Sequence, residues 1–265
     1  MEDVITEIPP PSRFYQEDLN NFTPPSPPIP SPFLLFSNPK PKEPLCPSLL
    51  VIALSPSSLY IFHHLPSKVL IGSLILPEIP FYGNSIEPSL RDKSCNIYAI
   101  GDAKNSTVFV SVQCPVAAER SHIVAKLLIG GQIVPEKVLI FDSIQRQNFR
   151  GRLSPDETVA FKLETSSERK GLGDGLALKG LDYFPSGSMV DGLAAALLSR
   201  CEMKNIKGTL CVTWPELGGA VVSLVKSLLG SVLPGLDLSV RGSAADERLQ
   251  FGQVKDNLFD SELYT

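Results

Sequence analysis

Metal and redox chemistry have little to work with in this sequence. It holds only three histidines, His63, His64 and His122, and the adjacent pair falls in a segment expected to be helical, where neighbouring side chains point in different directions. The five cysteines, Cys46, Cys95, Cys114, Cys201 and Cys211, are odd in number and widely spread, and no Cys-x-x-Cys occurs. That spacing argues against a zinc ribbon or a disulfide framework and reads as reduced thiols, several of them buried as small apolar residues. A broad basic surface is missing as well. With 24 Lys and Arg against 28 Asp and Glu, the net charge is −4 and the pI near 5.5, so general nucleic-acid binding by phosphate neutralisation is not expected. Apolar runs such as 49–54 and 68–76 fall well short of the roughly 18 residues a membrane span requires. The opening Met1-Glu2-Asp3 is acidic and no basic-then-apolar leader follows, so the expectation is a soluble protein of the cytoplasm, with the nucleus open to it.

Catalytic signatures are equally sparse. There is no Gly-x-Ser-x-Gly elbow, no Gly-x-Gly-x-x-Gly and no Gly-x-x-x-x-Gly-Lys-Ser/Thr. Gly171-Leu172-Gly173-Asp174-Gly175 resembles a phosphate loop only superficially, since it neither leaves a clear strand nor opens a helix. No catalytic, cofactor-binding or metal-binding residue is therefore assigned, and the chain reads as a non-enzyme.

What is present is apolar patterning. Hydrophobic residues make up 43% of the 265, enough for one substantial domain with appendages. Thirteen of the 24 prolines lie at or before Pro47, so residues 1–46 read as an extended, largely disordered leader. Within it, Pro25-Ser26-Pro27-Pro28 and Pro27-Pro28-Ile29-Pro30 match the Pro-x-x-Pro spacing of SH3-type ligands, and Phe33-Leu34-Leu35-Phe36 offers an apolar pin onto the domain.

Residues 47–240 read as an α/β domain. The run 49–54 predicts a strand buried on both faces, followed by a helix over 57–65 capped by Ser55 or Ser57. Strands are expected at 69–76, 96–101 and 107–113, the last two as a hairpin around Gly101–Ser106, then a helix over 116–129 stopped by Gly130-Gly131 and a strand at 137–141. Residues 145–187 carry the weakest pattern, with a strand over 158–165 and a mobile loop over 166–175. Val190, Leu193, Ala194, Leu197, Leu198 and Cys201 recur at helical spacing, with Ser188 as N-cap and Asp191 at the positive end of the helix dipole. A strand over 209–214 follows, then a helix over 218–229 with Val221, Val222, Leu224, Val225 and Leu228 inward, and a last short strand or loop at 236–240. Alternating strands and helices of these lengths define a layered α/β/α domain on a mixed, largely parallel sheet.

Residues 241–265 read as a polar tether and tail. After Asp260-Ser261-Glu262 come one aliphatic residue, one tyrosine and a terminal carboxylate, in Leu263, Tyr264 and Thr265. Apolar side chains at such a position are wasted unless a partner receives them, and each is worth roughly 1.5–3 kcal/mol in a fitted pocket. Thr265 is not the apolar last residue that PDZ grooves take.

The helix–strand unit Met189-Val190-Asp191-Gly192-Leu193-Ala194-Ala195-Ala196-Leu197-Leu198-Ser199-Arg200-Cys201 followed by 208–216, together with the ending Leu263-Tyr264-Thr265, resembles the first-subunit family of the heterodimeric proteasome assembly chaperones, proteasome assembly chaperone 1. The resemblance implies a non-enzymatic chaperone that pairs with a second, similar subunit on the outer face of the proteasome α-subunit ring. It also implies that tails insert between neighbouring α subunits, with Leu263 in the apolar part, Tyr264 stacking and hydrogen-bonding, and Thr265 supplying the carboxylate. The proline-rich leader and the 166–187 region depart from the family pattern. The family fold is similar to that of nucleoside phosphorylases, so an enzyme of that kind stays open as an alternative, as does a signalling adaptor working through the leader.

Overall fold

The computed structural model describes residues 29–37, 44–66, 68–80, 82, 84, 89–100, 107–154, 156–171, 178 and 180–238. The chain divides into two units, Met1–Pro30 and Ser31–Thr265, and all the described strands and helices lie in the second.

Phe33–Phe36, the apolar pin of the leader, forms the edge strand β1, antiparallel to β3 (Val69–Ile75). Between them in sequence come β2 (Leu49–Ala53), buried along its whole length, and helix α1 (Pro56–His64). Ser55 caps α1 by accepting the Ser58 N–H, and Pro56 takes the first turn, where its missing N–H costs nothing. At the other end no glycine is available. The Lys68 ammonium instead donates to the carbonyls of Phe62 (2.7 Å) and His63, neutralising the negative end of the helix dipole. His63 and His64 meet edge to face, and His64 turns back to the Tyr60 carbonyl, so the two rings do not converge on one point.

The expected hairpin is β4 (Cys95–Ile100) with β5 (Thr107–Val112), antiparallel, and its turn lies outside the described residues. Helix α2 (Ala118–Leu128) ends before Gly130, whose φ of +85° is reached by few residues other than glycine. Strand β6 (Lys137–Ser143) follows. The stretch with the weakest sequence pattern contains β7 (Val159–Glu164), where the sequence predicts a strand over 158–165, a short helix α3 (Ser166–Lys170) and the two-residue β8 (Asp182–Tyr183). The mobile loop expected from Ser166 is thus helical in its first turn, because Thr165 caps it, while residues 172–177 lie outside the described set. Helix α4 (Gly192–Met203), strand β9 (Lys207–Trp214) and helix α5 (Gly219–Val232) complete the chain order. Residues 236–238 form no strand, and 239–265 lie outside the described residues.

All nine strands join one mixed sheet in the order β1-β3-β4-β5-β2-β6-β9-β7-β8. The contiguous parallel part is its centre, where β5, β2, β6 and β9 run together, while β1-β3-β4-β5 and the β9–β7 pair are antiparallel. Alternation along the central strands sorts their side chains to two faces. Leu50, Ile52, Val108, Val110, Val138, Ile140, Leu210 and Val212 face α2 and α4; Val51, Phe109, Leu139, Phe141 and Cys211 face α1 and α5. The result is the α/β/α layering expected from the sequence.

Ser188 does not cap α4. Its hydroxyl accepts the Arg150 N–H at 2.8 Å, and Asp191 occupies the N-cap position while its carboxylate accepts from Asn148. In α5 the inward set is Val221, Val222, Val225 and Leu229, with Leu224 and Leu228 half-buried. Gly208 lets α4 lie close to β9, since a Cβ there would stand 2.9 Å from the Cβ of Cys201.

Thr165 ties the weakly patterned region to the core. Its buried hydroxyl accepts from the Gly208 N–H (3.0 Å) and the Glu168 N–H (3.3 Å) and donates to the Ile206 carbonyl (3.1 Å). Thr165→Val keeps the shape and leaves those groups unpaired, so chemical denaturation should show a loss of about 1–3 kcal/mol.

Candidate functional site

The tail residues Leu263, Tyr264 and Thr265 lie outside the described residues. Three surfaces stand out.

The first is the rim where the parallel strands end. Here β6 delivers Asp142 and Ser143, β9 delivers Thr213 and Trp214, and the loop before α4 delivers Met189, Val190 and Asp191. In doubly wound sheets, ligands collect at this end. The cavity here, lined by Asp142, Asn148, Phe184, Met189, Asp191 and Val212 among others, measures only about 10 Å³. Small-molecule sites run to about 300–1,000 Å³, so the rim is filled by its own side chains. Burial pushes the Asp142 carboxyl up from an ordinary 3.8 to about 6. The Ser143 N–H donated to it pulls the other way, and the charges of Asp191 and Glu216 add to the rise. Glu216 is raised too, again by burial. Among the described residues, no group of three or more His, Cys, Asp and Glu could hold a metal ion.

The Asp142 shift has a signed consequence for stability. The folded protein holds this proton more tightly than the unfolded chain, so the associated stability is complete below about pH 3.8 and is lost as pH rises through about 6. Asn at this position accepts the same Ser143 N–H without a charge. Asp142→Asn should therefore unfold about 1–3 kcal/mol harder than the parent at pH 7.5, with the gap closing as the pH is lowered toward 4. Denaturant melts of the pair across that range check it.

The second surface is an open groove of about 430 Å³ beside the rim, lined by Arg146, Phe149, Gly151, Arg152, Leu153 and Ser154. It lies in the stretch whose sequence pattern was weakest, and nothing in the spacing of its residues pointed to it. The third is an apolar strip on the α1/α5 side of β1 and β3, where Phe33 (48% exposed), Leu35 (59%) and Leu70 (45%) stand uncovered by any described helix, while Val69 points to the opposite face. The Phe33-Leu34-Leu35-Phe36 run gave some signal of it.

The body is thus a three-layer α/β/α sandwich. Solved structures with this fold are found at low identity. PbaA from Pyrococcus furiosus, described as an archaeal homolog of proteasome-assembly chaperone, aligns with a TM-score of 0.57 at 15% identity, over 86% of this chain and 93% of that one. A protein of unknown function from Thermoplasma acidophilum gives 0.54 at 14% identity, over 83% and 89%. PbaB from Pyrococcus furiosus, described as an archaeal proteasome activator, gives 0.51 at 11% identity, over 88% and 99%. At such identities the likeness shows a shared fold. No protein-family model and no curated protein matches the chain.

Proposed function

We propose that this chain is a non-enzymatic chaperone of proteasome assembly. It promotes formation of the proteasome α-subunit ring as a heterodimer with a second assembly chaperone, working in the cytoplasm with the nucleus open to it. The tail docks between α subunits: Leu263 fills the apolar part of the pocket, Tyr264 stacks and hydrogen-bonds, and the Thr265 carboxylate meets a cation. The observation that carries this reading is the pairing of that tail with a body whose fold, over 86% of the chain, is also the fold of PbaA.

Two physical points support it. A short tail alone binds weakly, because ordering it costs conformational entropy, but a tail attached to a platform already touching the ring acts at an effective concentration on the order of millimolar. The uncovered strip at Phe33, Leu35 and Leu70 also suits pairing with a second subunit. Affinity purification of the full chain from its own cells tests the reading. Proteasome α subunits and a second chaperone of similar size should co-purify. Recovery of SH3-type proteins without α subunits would overturn it in favour of an adaptor.

A further inference from the structure

Residues 146–152 hold three arginines, Arg146, Arg150 and Arg152, in a chain whose net charge is −4. The loop that carries them is pinned. A 3-10 turn spans Arg146–Asn148, the Met189 N–H donates to the Asn148 carbonyl (2.8 Å), and the Arg150 N–H donates to the Ser188 hydroxyl (2.8 Å). The Trp214 indole N–H donates to the Ser154 carbonyl at 2.8 Å, and the Arg146 guanidinium lies 5.6 Å from the centre of that indole. Phe149 is held against Phe161 and Phe184 and forms the apolar part of the groove. Gly151 keeps the Phe149 ring edge open, since a Cβ there would stand 2.6 Å from it.

Arg146 and Arg152 are exposed, and neither makes an ion pair with a described residue. Two open guanidinia over an aromatic floor suit a peptide that alternates carboxylates with large apolar side chains. Such a peptide exists in this chain. Asp256-Asn257-Leu258-Phe259-Asp260-Ser261-Glu262-Leu263-Tyr264-Thr265 interleaves three carboxylates with two leucines, a phenylalanine and a tyrosine and contains no Lys or Arg. The described body ends at Leu238, which leaves residues 239–255 as tether. Leu238 packs on the α1/α5 side of the sheet and Phe149 on the α2/α4 side, so the tether has to pass round the sheet, and at about 3.3–3.6 Å per extended residue it spans roughly 60 Å.

We infer that the groove lined by Arg146, Phe149 and Arg152 is a binding site for an acidic, aromatic-bearing peptide, and that its occupant in the free protein is the chain's own residues 256–265. Docking there keeps Leu258, Phe259, Leu263 and Tyr264 out of water and makes the tail available only to a receiver that competes with the groove. The inference stands on the chemistry of groove and tail, whether or not a proteasome ring is that receiver.

Trp214 is the only tryptophan in the sequence, so its emission reports on the groove. The full chain and a chain lacking residues 256–265 are compared at several protein concentrations. The deleted form should emit at longer wavelength, and a synthetic peptide of residues 254–265 added to it should restore the full-chain spectrum saturably. Arg146→Glu with Arg152→Glu should weaken that titration at least about tenfold, as should raising salt from 50 to 500 mM. Identical spectra with and without the tail would overturn the inference, as would equal binding of a scrambled peptide. A shift in the full chain that depends on protein concentration would also overturn it, because the occupant would then be the tail of a second copy. Both arginines are surface residues, and circular dichroism checks the fold of the double variant; if it misfolds, the deletion and peptide add-back still decide. Ring capture by the double variant should be unchanged or tighter, so failure of self-docking and failure of the ring reading give different results.

Discussion

Under the proposed function, removing Leu263, Tyr264 and Thr265 is expected to weaken α-ring capture at least about a hundredfold while leaving the far-UV circular dichroism of the body unchanged. The magnitude follows from two side chains each worth roughly 1.5–3 kcal/mol in a fitted pocket and one charge-assisted contact. Ordering costs reduce that sum, and a net loss of about 3 kcal/mol corresponds to about a hundredfold. Every described strand and helix lies before residue 239, so the truncated chain should keep the secondary structure of the body and lose no more than the groove contact inferred above. A version extended by one residue beyond Thr265, which displaces the end charge, or closed as an amide, which removes it, keeps the apolar groups and should fall between the two. Surface-immobilised ring and the three forms of the chain make the measurement. Equal affinity for all three would remove the tail from the mechanism.

Phe109→Ala should cost about 3–5 kcal/mol, enough to leave many domains of this kind largely unfolded at physiological temperature. Phe109 sits at the middle of β5, is 1% exposed, and meets Phe62 of α1 edge to face with ring centres 4.9 Å apart. Its removal opens a void between the sheet and the α1/α5 layer that Val51 and Tyr98, its register partners on β2 and β4, cannot fill from their fixed places. Urea denaturation gives the value. A loss below about 1 kcal/mol would mean that α1 can settle onto the sheet, contrary to the packing seen.

The parts of this fold that were legible share one property: their burial is written into neighbouring residues. Leu49–Ala53 is apolar at every position because both faces of β2 are covered, and α4 repeats every three to four residues because one side packs on β9. The hairpin of β4 and β5 was legible because its connection is rich in turn formers. What escaped depends on distant partners. The two-residue β8 exists because β7 offers it a ladder, and α3 exists because the Thr165 hydroxyl reaches the Glu168 N–H. Ser188 looks like a helix cap by spacing, yet the Arg150 N–H claims it from 38 residues away. The arginine groove follows the same rule, being assembled by bonds from Trp214, Ser188 and Met189 that no local window contains. The tail motif was legible as chemistry, through one aliphatic group, one phenol and one carboxylate, and its setting was not.

Among the described residues, strand β1 pairs with β3 alone and forms an edge of the sheet. Such a border invites foreign strands to lengthen the sheet. Pro30 and Pro32 stand just ahead of Phe33, and Pro39 and Pro41 follow soon after Phe36, so the stretch able to accept an incoming ladder is held to a handful of residues. Replacing those prolines would remove that limit on the stretch able to pair with a foreign strand.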